Sequence, residues 1–323
     1  MSHARLLVLL LALVPGPALA GEVSGTVSDG TEGRPAPGVE VVLIDPGKPE
    51  PLGRAVADAK GRFVFRNVAP GDYALGTSHL GVPYVRRDVR VEAGRPAVAA
   101  DLEVFQTTTD ASDVSIEGNH VLVEPEGDVV RALEIVVYRN AGRRAYLGEA
   151  TPASPTGHRL VVPLPEGYTA LDAPPGIREQ IANRTATGFD LALPLPPGQT
   201  QVVFTYRVPA GLLGVSLDRR FPLSVKSASV LVPADRGWRV RSRDLARPRL
   251  VTLEARKFEV ATGGPFPPGS VLSARVAAGI FGTGVPATRL AWGAGGLAIA
   301  GLSLAWILRL GLPAPRAARA GSA

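Results

Sequence analysis

Four histidines, His3, His79, His120 and His158, are the residues of this chain best suited to proton transfer or metal binding. No His-x-x-Glu or His-x-x-x-His spacing joins them, so no pair is placed to share a metal ion. A histidine isolated in this way is ordinarily a satisfied or exposed side chain. Cysteine is absent, which excludes thiol nucleophiles, thiolate zinc sites and haem attachment through Cys-x-x-Cys-His. Gly76-Thr-Ser-His-Leu-Gly81 has one residue too many for a Gly-x-Ser-x-Gly nucleophile elbow. No P-loop or Gly-x-Gly-x-x-Gly follows a predicted strand. Glu124 and Glu126 are close in sequence, but Glu-Pro-Glu-Gly reads as a turn, where acids are solvated. Arg outnumbers Lys 31 to 4 and Ala, Gly and Pro are abundant, as expected of a GC-rich bacterial genome, so the glycosylation-type sequon Asn183-Arg-Thr185 carries little weight. The sequence therefore predicts no catalytic residue, no metal ligand and no cofactor. A non-enzyme is expected, with a hydrolase using an unsigned site as an alternative.

One charged pattern could bind. Arg239, Arg241 and Arg243 alternate with Trp238, Val240 and Ser242, so a strand there would project all three guanidinium groups from one face. Arg236, Arg247 and Arg249 extend the patch, against Asp235 and Asp244. The two readings are a solvated outer face paired with nearby acids and a site for an anionic ligand or partner.

The elements that must carry these residues are bracketed by two apolar segments. Residues 290–308 contain no charged side chain. At about 1.5 Å per helical residue they reach about 28 Å, close to the roughly 30 Å of a bilayer core. Arg289 and Arg309 close the two ends, and Trp292 and Trp306 stand where interfacial aromatics belong. Arg316 and Arg319 follow without an acid, which predicts a cytoplasmic tail. At the other end, Arg5, an apolar stretch from Leu6 to Val14 and Ala18-Leu19-Ala20 make a signal peptide. The expectation is a single-pass protein of the bacterial inner membrane, its ectodomain in the periplasm or outside. Retention of the apolar run is favoured over a cleaved sorting tail, since no Pro-Glu-Pro or Leu-Pro-x-Thr-Gly motif precedes it.

Net charge misleads if read globally. Of 35 basic residues, five lie in these terminal segments, leaving 30 against 29 acids in the ectodomain. A near-neutral ectodomain gives no basis for nucleic-acid binding. Without disulfides, its cores must hold by burial alone.

From residue 21 to about 103 short β-runs are broken by Gly and Pro. Four motifs follow in order: Val23-x-Gly25-x-Val27, Pro37-Gly38-Val39-x-Val41, Asp58-x-x-Gly61-x-Phe63 and Val68-x-Pro70-Gly71-x-Tyr73. Gly61 fits a tight hairpin turn, and Pro70-Gly71 suits the centre of a type II turn. This series resembles the carboxypeptidase regulatory-like domain, which implies a transthyretin-like β-sandwich of about seven strands. In that family the module accompanies enzymes, receptors and surface proteins without being the catalyst, so the resemblance implies fold rather than function. One enzymatic branch of the transthyretin fold, which hydrolyses hydroxyisourate, ends in Tyr-Arg-Gly-Ser; Tyr138-Arg-Asn140 is only a partial echo of it.

Residues 104–278 also read as β. Strands are expected at 132–139, 158–164, 188–195, 201–208, 227–232, 238–243, 250–260 and 270–276, with at most a helical turn or two at 177–183. Val202, Phe204, Tyr206 and Val208 should share one face. Leu160-x-x-Pro-Leu-Pro-x-Gly-x-Thr169 recurs 31 residues later as Leu191-x-x-Pro-Leu-Pro-x-Gly-x-Thr200, either as a duplicated strand-turn unit or as an accident of Pro/Gly-rich composition.

The predicted fold class is all-β, in six segments: signal peptide 1–20, regulatory-like sandwich 21–103, immunoglobulin-like sandwich region 104–278 (one large or two small), linker 279–289, transmembrane helix 290–308 and tail 309–323. The expected role is membrane-anchored binding or scaffolding, with a protein partner or surface glycan. An accessory carbohydrate-binding ectodomain is the alternative.

Overall fold

Short β-branched runs punctuated by Gly and Pro become strands throughout the computed structural model, which describes residues 21–278 except 95–96, 152–153, 212–213 and 254. The expected signal peptide, linker, apolar run and tail lie outside the described residues. Among the described residues there is no α-helix, and no helix long and apolar enough to cross a membrane. The chain divides into two units between Thr107 and Thr108.

In the first unit, Gly21–Asp29 is the centre of one sheet. It pairs antiparallel with Arg34–Pro35 and Arg62–Val68, and parallel with Ala97–Ala99 and Leu102–Val104. A second, antiparallel sheet runs Gly53–Val56, Glu40–Ile44, Gly71–His79, Val82–Val91. Period-2 alternation decides what is buried: Val23, Val27, Phe63 and Phe65 come from the first sheet, and Val41, Leu43, Leu75 and Val89 from the second. Gly61 has φ 74°, and a Cβ there would sit 2.4 Å from the Val27 carbonyl oxygen. Its N–H donates to Asp58 O at 2.8 Å and its carbonyl accepts from Val27 N at 2.7 Å, so the hairpin turn is stitched to the central strand. Pro70-Gly71 does not make the expected type II turn. The positive φ lies upstream at Asn67 (59°), and Gly71 already belongs to the strand. Asn67 lies within Arg62–Val68 where its register with Gly21–Asp29 shifts, so the left-handed φ belongs to a β-bulge in that strand.

The second unit is built on a seven-stranded sheet. Its order is Thr169–Asp172, Gly198–Pro209, Val129–Asn140, Val114–Glu126, Ala228–Pro233, Arg256–Gly263, Arg249–Leu253. All neighbours are antiparallel except Val114–Glu126 with Ala228–Pro233. A four-stranded sheet (Glu149–Thr151, Ser154–Pro163, Gly188–Leu191, Ile181–Thr185) and a three-stranded one (Val215–Ser216, Ala274–Ala278, Trp238–Ser242) share its core. Val202, Phe204, Tyr206 and Val208 do face one side, all buried, with Phe189 and Phe204 edge to face at 5.1 Å. Each such side chain contributes about 1.5–3 kcal/mol by burial, which is how a chain without disulfides holds this unit. The stretch 250–260 is not one strand. It is a hairpin, Arg249–Leu253 and Arg256–Gly263, turning beside Ala255 at φ 67°. No Gly, Asn or Pro marks that turn, so the sequence carried no signal for it. The stretch 177–183 holds one 3-10 turn, Arg178–Gln180, and then enters the strand Ile181–Thr185.

The ten-residue echo is structural. Both copies leave the four-stranded sheet, from Ser154–Pro163 and from Gly188–Leu191, and both enter the seven-stranded sheet, at Thr169–Asp172 and Gly198–Pro209. Their first residues, Leu160 and Leu191, are cross-strand partners. Leu164 and Leu195 are each 1% exposed, and Gly167 and Gly198 each take positive φ (77° and 109°). The Leu-Pro-x-Gly cassette is thus a sheet-to-sheet crossover used twice. Its leucine plugs the core, its proline ends the ladder, and its glycine resets the chain direction.

Candidate functional site

The most polarised constellation in the protein is in the core of the second unit. Alternation in Val129–Asn140 places Glu134 on the same side as Ala132, Val136 and Tyr138, all buried. Arg219 meets it with Nη1 at 2.6 and 2.5 Å from the two carboxylate oxygens. Tyr206 donates its hydroxyl to Oε2 at 3.0 Å, Asn119 donates Nδ2 to Oε1 at 2.6 Å, and Arg219 Nη2 reaches the Tyr206 hydroxyl at 3.1 Å. Both charged side chains are 1% exposed. Burial would lower the Arg219 pKa, but Glu134 and Tyr206 outweigh it and hold the guanidinium above its ordinary value. Burial pushes the Tyr206 phenol far up. The cluster can move no proton to or from solvent, and its chemistry is structural: a paired charge fixing three strands and the Arg219–Arg220 segment in one arrangement. Sequence reading saw Tyr206 on the correct face but missed the network. A core-facing Glu in an apolar strand was its signal.

His120 is the histidine with a chemically suggestive neighbour, Ser229 Oγ at 2.7 Å from Nδ1. Cross-strand register explains the contact, since the two residues are partners on parallel strands. Ser229 is 1% exposed, and burial depresses the His120 pKa to about 4. Among the described residues no carboxylate is hydrogen-bonded to the ring, so the orienting third member of a triad has no counterpart. Among the described residues no group of three His, Cys, Asp or Glu could hold a metal ion. Glu124 and Glu126 are not turn acids. They lie within Val114–Glu126, where Arg131 and Arg256 engage Glu124 (3.3 and 3.0 Å) and Arg131 engages Glu126 (3.0 Å). Cross-strand opposition of acids and arginines, not a turn, sets their environment.

The arginine pattern forms a partial ladder. Trp238–Ser242 is the edge of the three-stranded sheet, with Val240 buried and Arg239 and Arg241 exposed on the other face. Glu259 accepts the unpaired edge N–H of Val240 at 2.9 Å and lies 3.4 Å from Arg239 Nε. Arg243 does not join the ladder. The strand stops at Ser242, whose Oγ accepts the N–H groups of Asp244 and Leu245 at 3.0 and 3.1 Å and turns the chain. Arg243 is left 82% exposed, 3.8 Å from Asp244. Arg275, on the neighbouring strand and directly opposite Arg241, completes the face. Its place could have been found from Ala-Arg-Val-Ala, which alternates around Val276. The other singled-out residues, Arg289, Trp292, Trp306 and Arg309, lie outside the described residues.

In the first unit a shallow depression is lined by Ile44, Tyr73, Ala74, Val85, Arg87 and Asp88. The Tyr73 hydroxyl is committed to Ala69 O at 2.8 Å. Among the described residues, no Phe, Tyr or Trp is an exposed large hydrophobic. Stacking on sugar rings needs an open aromatic face, and among the described residues Phe105, Tyr168 and Trp238 are only partly exposed.

With two hairpins, Gly61 and Tyr73 in the places the four motifs require, the first unit can be compared with known families. Residues 22–104 match the carboxypeptidase regulatory-like domain. The Gly61 stitch to Val27 and the Tyr73–Ala69 bond are framework contacts of this regulatory-like domain. No curated protein matches the chain. Solved structures with some likeness include the full-length major pilin SpaD of Corynebacterium diphtheriae, at 12% identity over 62% of this chain and 59% of that one, TM-score 0.23. The minor pilin GBS52 of Streptococcus agalactiae aligns at 18% identity over 28% of this chain and 46% of that one, TM-score 0.21. An M1 zinc metallopeptidase of Deinococcus radiodurans aligns at 12% identity over 50% of this chain and 42% of that one, TM-score 0.31. This chain thus spans less than two thirds of each of these structures. Likenesses this faint carry no functional inference.

Proposed function

We propose that this is a membrane-anchored, non-catalytic β protein that acts in binding or scaffolding at the outer side of a bacterial inner membrane. The observation that carries the reading is the uncharged run at 290–308, bracketed by Arg289 and Arg309 and beginning twelve residues after Ala274–Ala278, the last strand among the described residues. The regulatory-like domain supplies a transthyretin-like sandwich over residues 21–103, and residues 104–278 an immunoglobulin-like region. Support comes also from how charge is used: Glu134 and Arg219 are sealed in the core, while Arg239, Arg241 and Arg275 stand exposed on one outer strand face. A protein partner is favoured over a glycan because the described surface lacks an exposed aromatic platform. The C-terminal tail is cytoplasmic, held there by Arg309, Arg316 and Arg319.

Cell fractionation tests the anchor. The full chain should sediment with membranes, and Leu302→Arg with Leu304→Arg should release the ectodomain into the periplasm. Each mid-helix charge costs roughly 2.5–3.5 kcal/mol on the insertion scale. A double variant that stayed membrane-bound would sink the reading.

A further inference from the structure

Arg241 and Arg275 are direct partners in the register between Trp238–Ser242 and Ala274–Ala278. Like charges placed opposite one another across an antiparallel pair repel, and sheets ordinarily set an acid there. The flanking residues Val240 and Val276 are buried at 4% and 0%, so both guanidinium groups point away from the core. Both residues are exposed. Neither guanidinium has an ion pair or hydrogen bond among the described residues. Arg239, one rung along on the same face, is tied to Glu259, and Ser216 faces Arg275 from the third strand. The face thus keeps two adjacent guanidinium groups without an ion pair among the described residues, while Asp218, two residues on from Ser216, commits a carboxylate oxygen to the Ala274 N–H at 3.0 Å.

Where the face lies in the chain says what covers it. Between Glu259 and the apolar run the sequence contains no acid, while Arg275 and Arg289 lie on the side of the membrane assigned to the ectodomain. Arg275 is three residues from the end of Ala274–Ala278, about 10 Å at strand rise. The 279–289 linker can extend at most about 40 Å before the apolar run begins. A cationic face at that range from an anchor is held near the headgroup layer at high effective concentration, where anionic headgroups in the same leaflet attract its arginines within a Debye length. We propose that the Arg239, Arg241 and Arg275 face docks on anionic phospholipid headgroups of the membrane that the 290–308 run enters. The proposal rests on the anchored reading above.

The absence of native cysteine makes the test clean. Ser216→Cys, carrying a fluorescent label, reports the face in the full chain reconstituted in nanodiscs of phosphatidylcholine alone or mixed with phosphatidylglycerol. Quenching by acrylamide, a neutral quencher, should fall severalfold in the anionic discs relative to the zwitterionic ones. High salt should restore it, because the attraction is screened. Arg241→Glu with Arg275→Glu should abolish the protection, and the milder Arg241→Gln with Arg275→Gln should weaken it. Equal quenching in the two lipids overturns the proposal, as does protection that survives both double variants. Protection that appears only when an acidic protein is added assigns the face to a protein partner and also overturns it. Co-elution of chain and disc reads the anchor separately. A chain that never enters the discs overturns the anchored reading and the docking with it, whereas one that enters and stays quenched overturns the docking alone.

Discussion

His120 is held neutral by its surroundings, and this has a pH signature. Burial lowers its folded pKa to about 4, below the ordinary value near 6.5. The unfolded chain takes up a proton as pH falls through about 6.5 while the folded chain does not, so stability present above that value is lost progressively down to about pH 4. Between pH 7 and pH 5, above the range of most carboxylates, the expected loss is roughly 2 kcal/mol. Urea unfolding of the detergent-solubilised chain at the two pH values should show it, and His120→Gln should flatten the difference. A wild-type midpoint that does not move would remove His120 from this role. Asp58 works in the opposite range. The Arg62 guanidinium, with the Arg62 and Lys60 backbone N–H groups, holds its carboxyl down to about 2, so its contribution is full above the unfolded value and vanishes as pH falls through about 2. Gly61 was readable from its motif. With φ 74° and the Val27 carbonyl oxygen 2.4 Å from any Cβ, Gly61→Ala should cost about 2 kcal/mol or more, measurable as a lowered urea midpoint. Tyr73 was readable too, but its turn was not, because the left-handed residue is Asn67, at a bulge in the preceding strand, and Gly71 already belongs to the next one.

Strand faces follow from alternation, and partners across strands do not. Glu134 could be placed on the core side of its strand from Ala132, Val136 and Tyr138, yet its partner Arg219 lies 85 residues away. The pair makes a sharp prediction. Glu134→Ala leaves a guanidinium buried and unpaired and should cost about 3–5 kcal/mol, whereas Glu134→Met with Arg219→Met should cost much less, since no charge is then stranded. Thermal unfolding of both variants checks this, and a double variant no more stable than the single would show that the network does more than neutralise a buried charge. The hairpin around Ala255 was invisible for a different reason: both of its arms carry β-branched and apolar residues at strand spacing, and nothing between them announces a turn. The Leu-Pro-x-Gly echo was visible as residues and ambiguous as meaning. Only the sheets it connects show that both copies do the same job.

At the scale of the molecule, the sequence made two facts plain: strands dominate, and the first unit is a regulatory-like domain. The assembly of the second unit was beyond it. The parallel pairing of residues 119–122 with 228–231 brings together strands more than a hundred residues apart, and no local pattern specifies that register. The arginine face was half legible, since Arg239 and Arg241 alternate in one segment but Arg275 joins them only through pairing. The central claim is that this ectodomain stands outside the membrane on one retained anchor. Its most direct test uses two full-length variants in a chain that has no other cysteine, Glu50→Cys in the ectodomain and Ser322→Cys in the tail. On intact spheroplasts, a membrane-impermeant maleimide should label Glu50→Cys at once and Ser322→Cys only after lysis, with both labels on a full-length membrane species. Labelling of Ser322→Cys on intact spheroplasts, or a labelled ectodomain recovered as a shorter soluble form, would contradict the account.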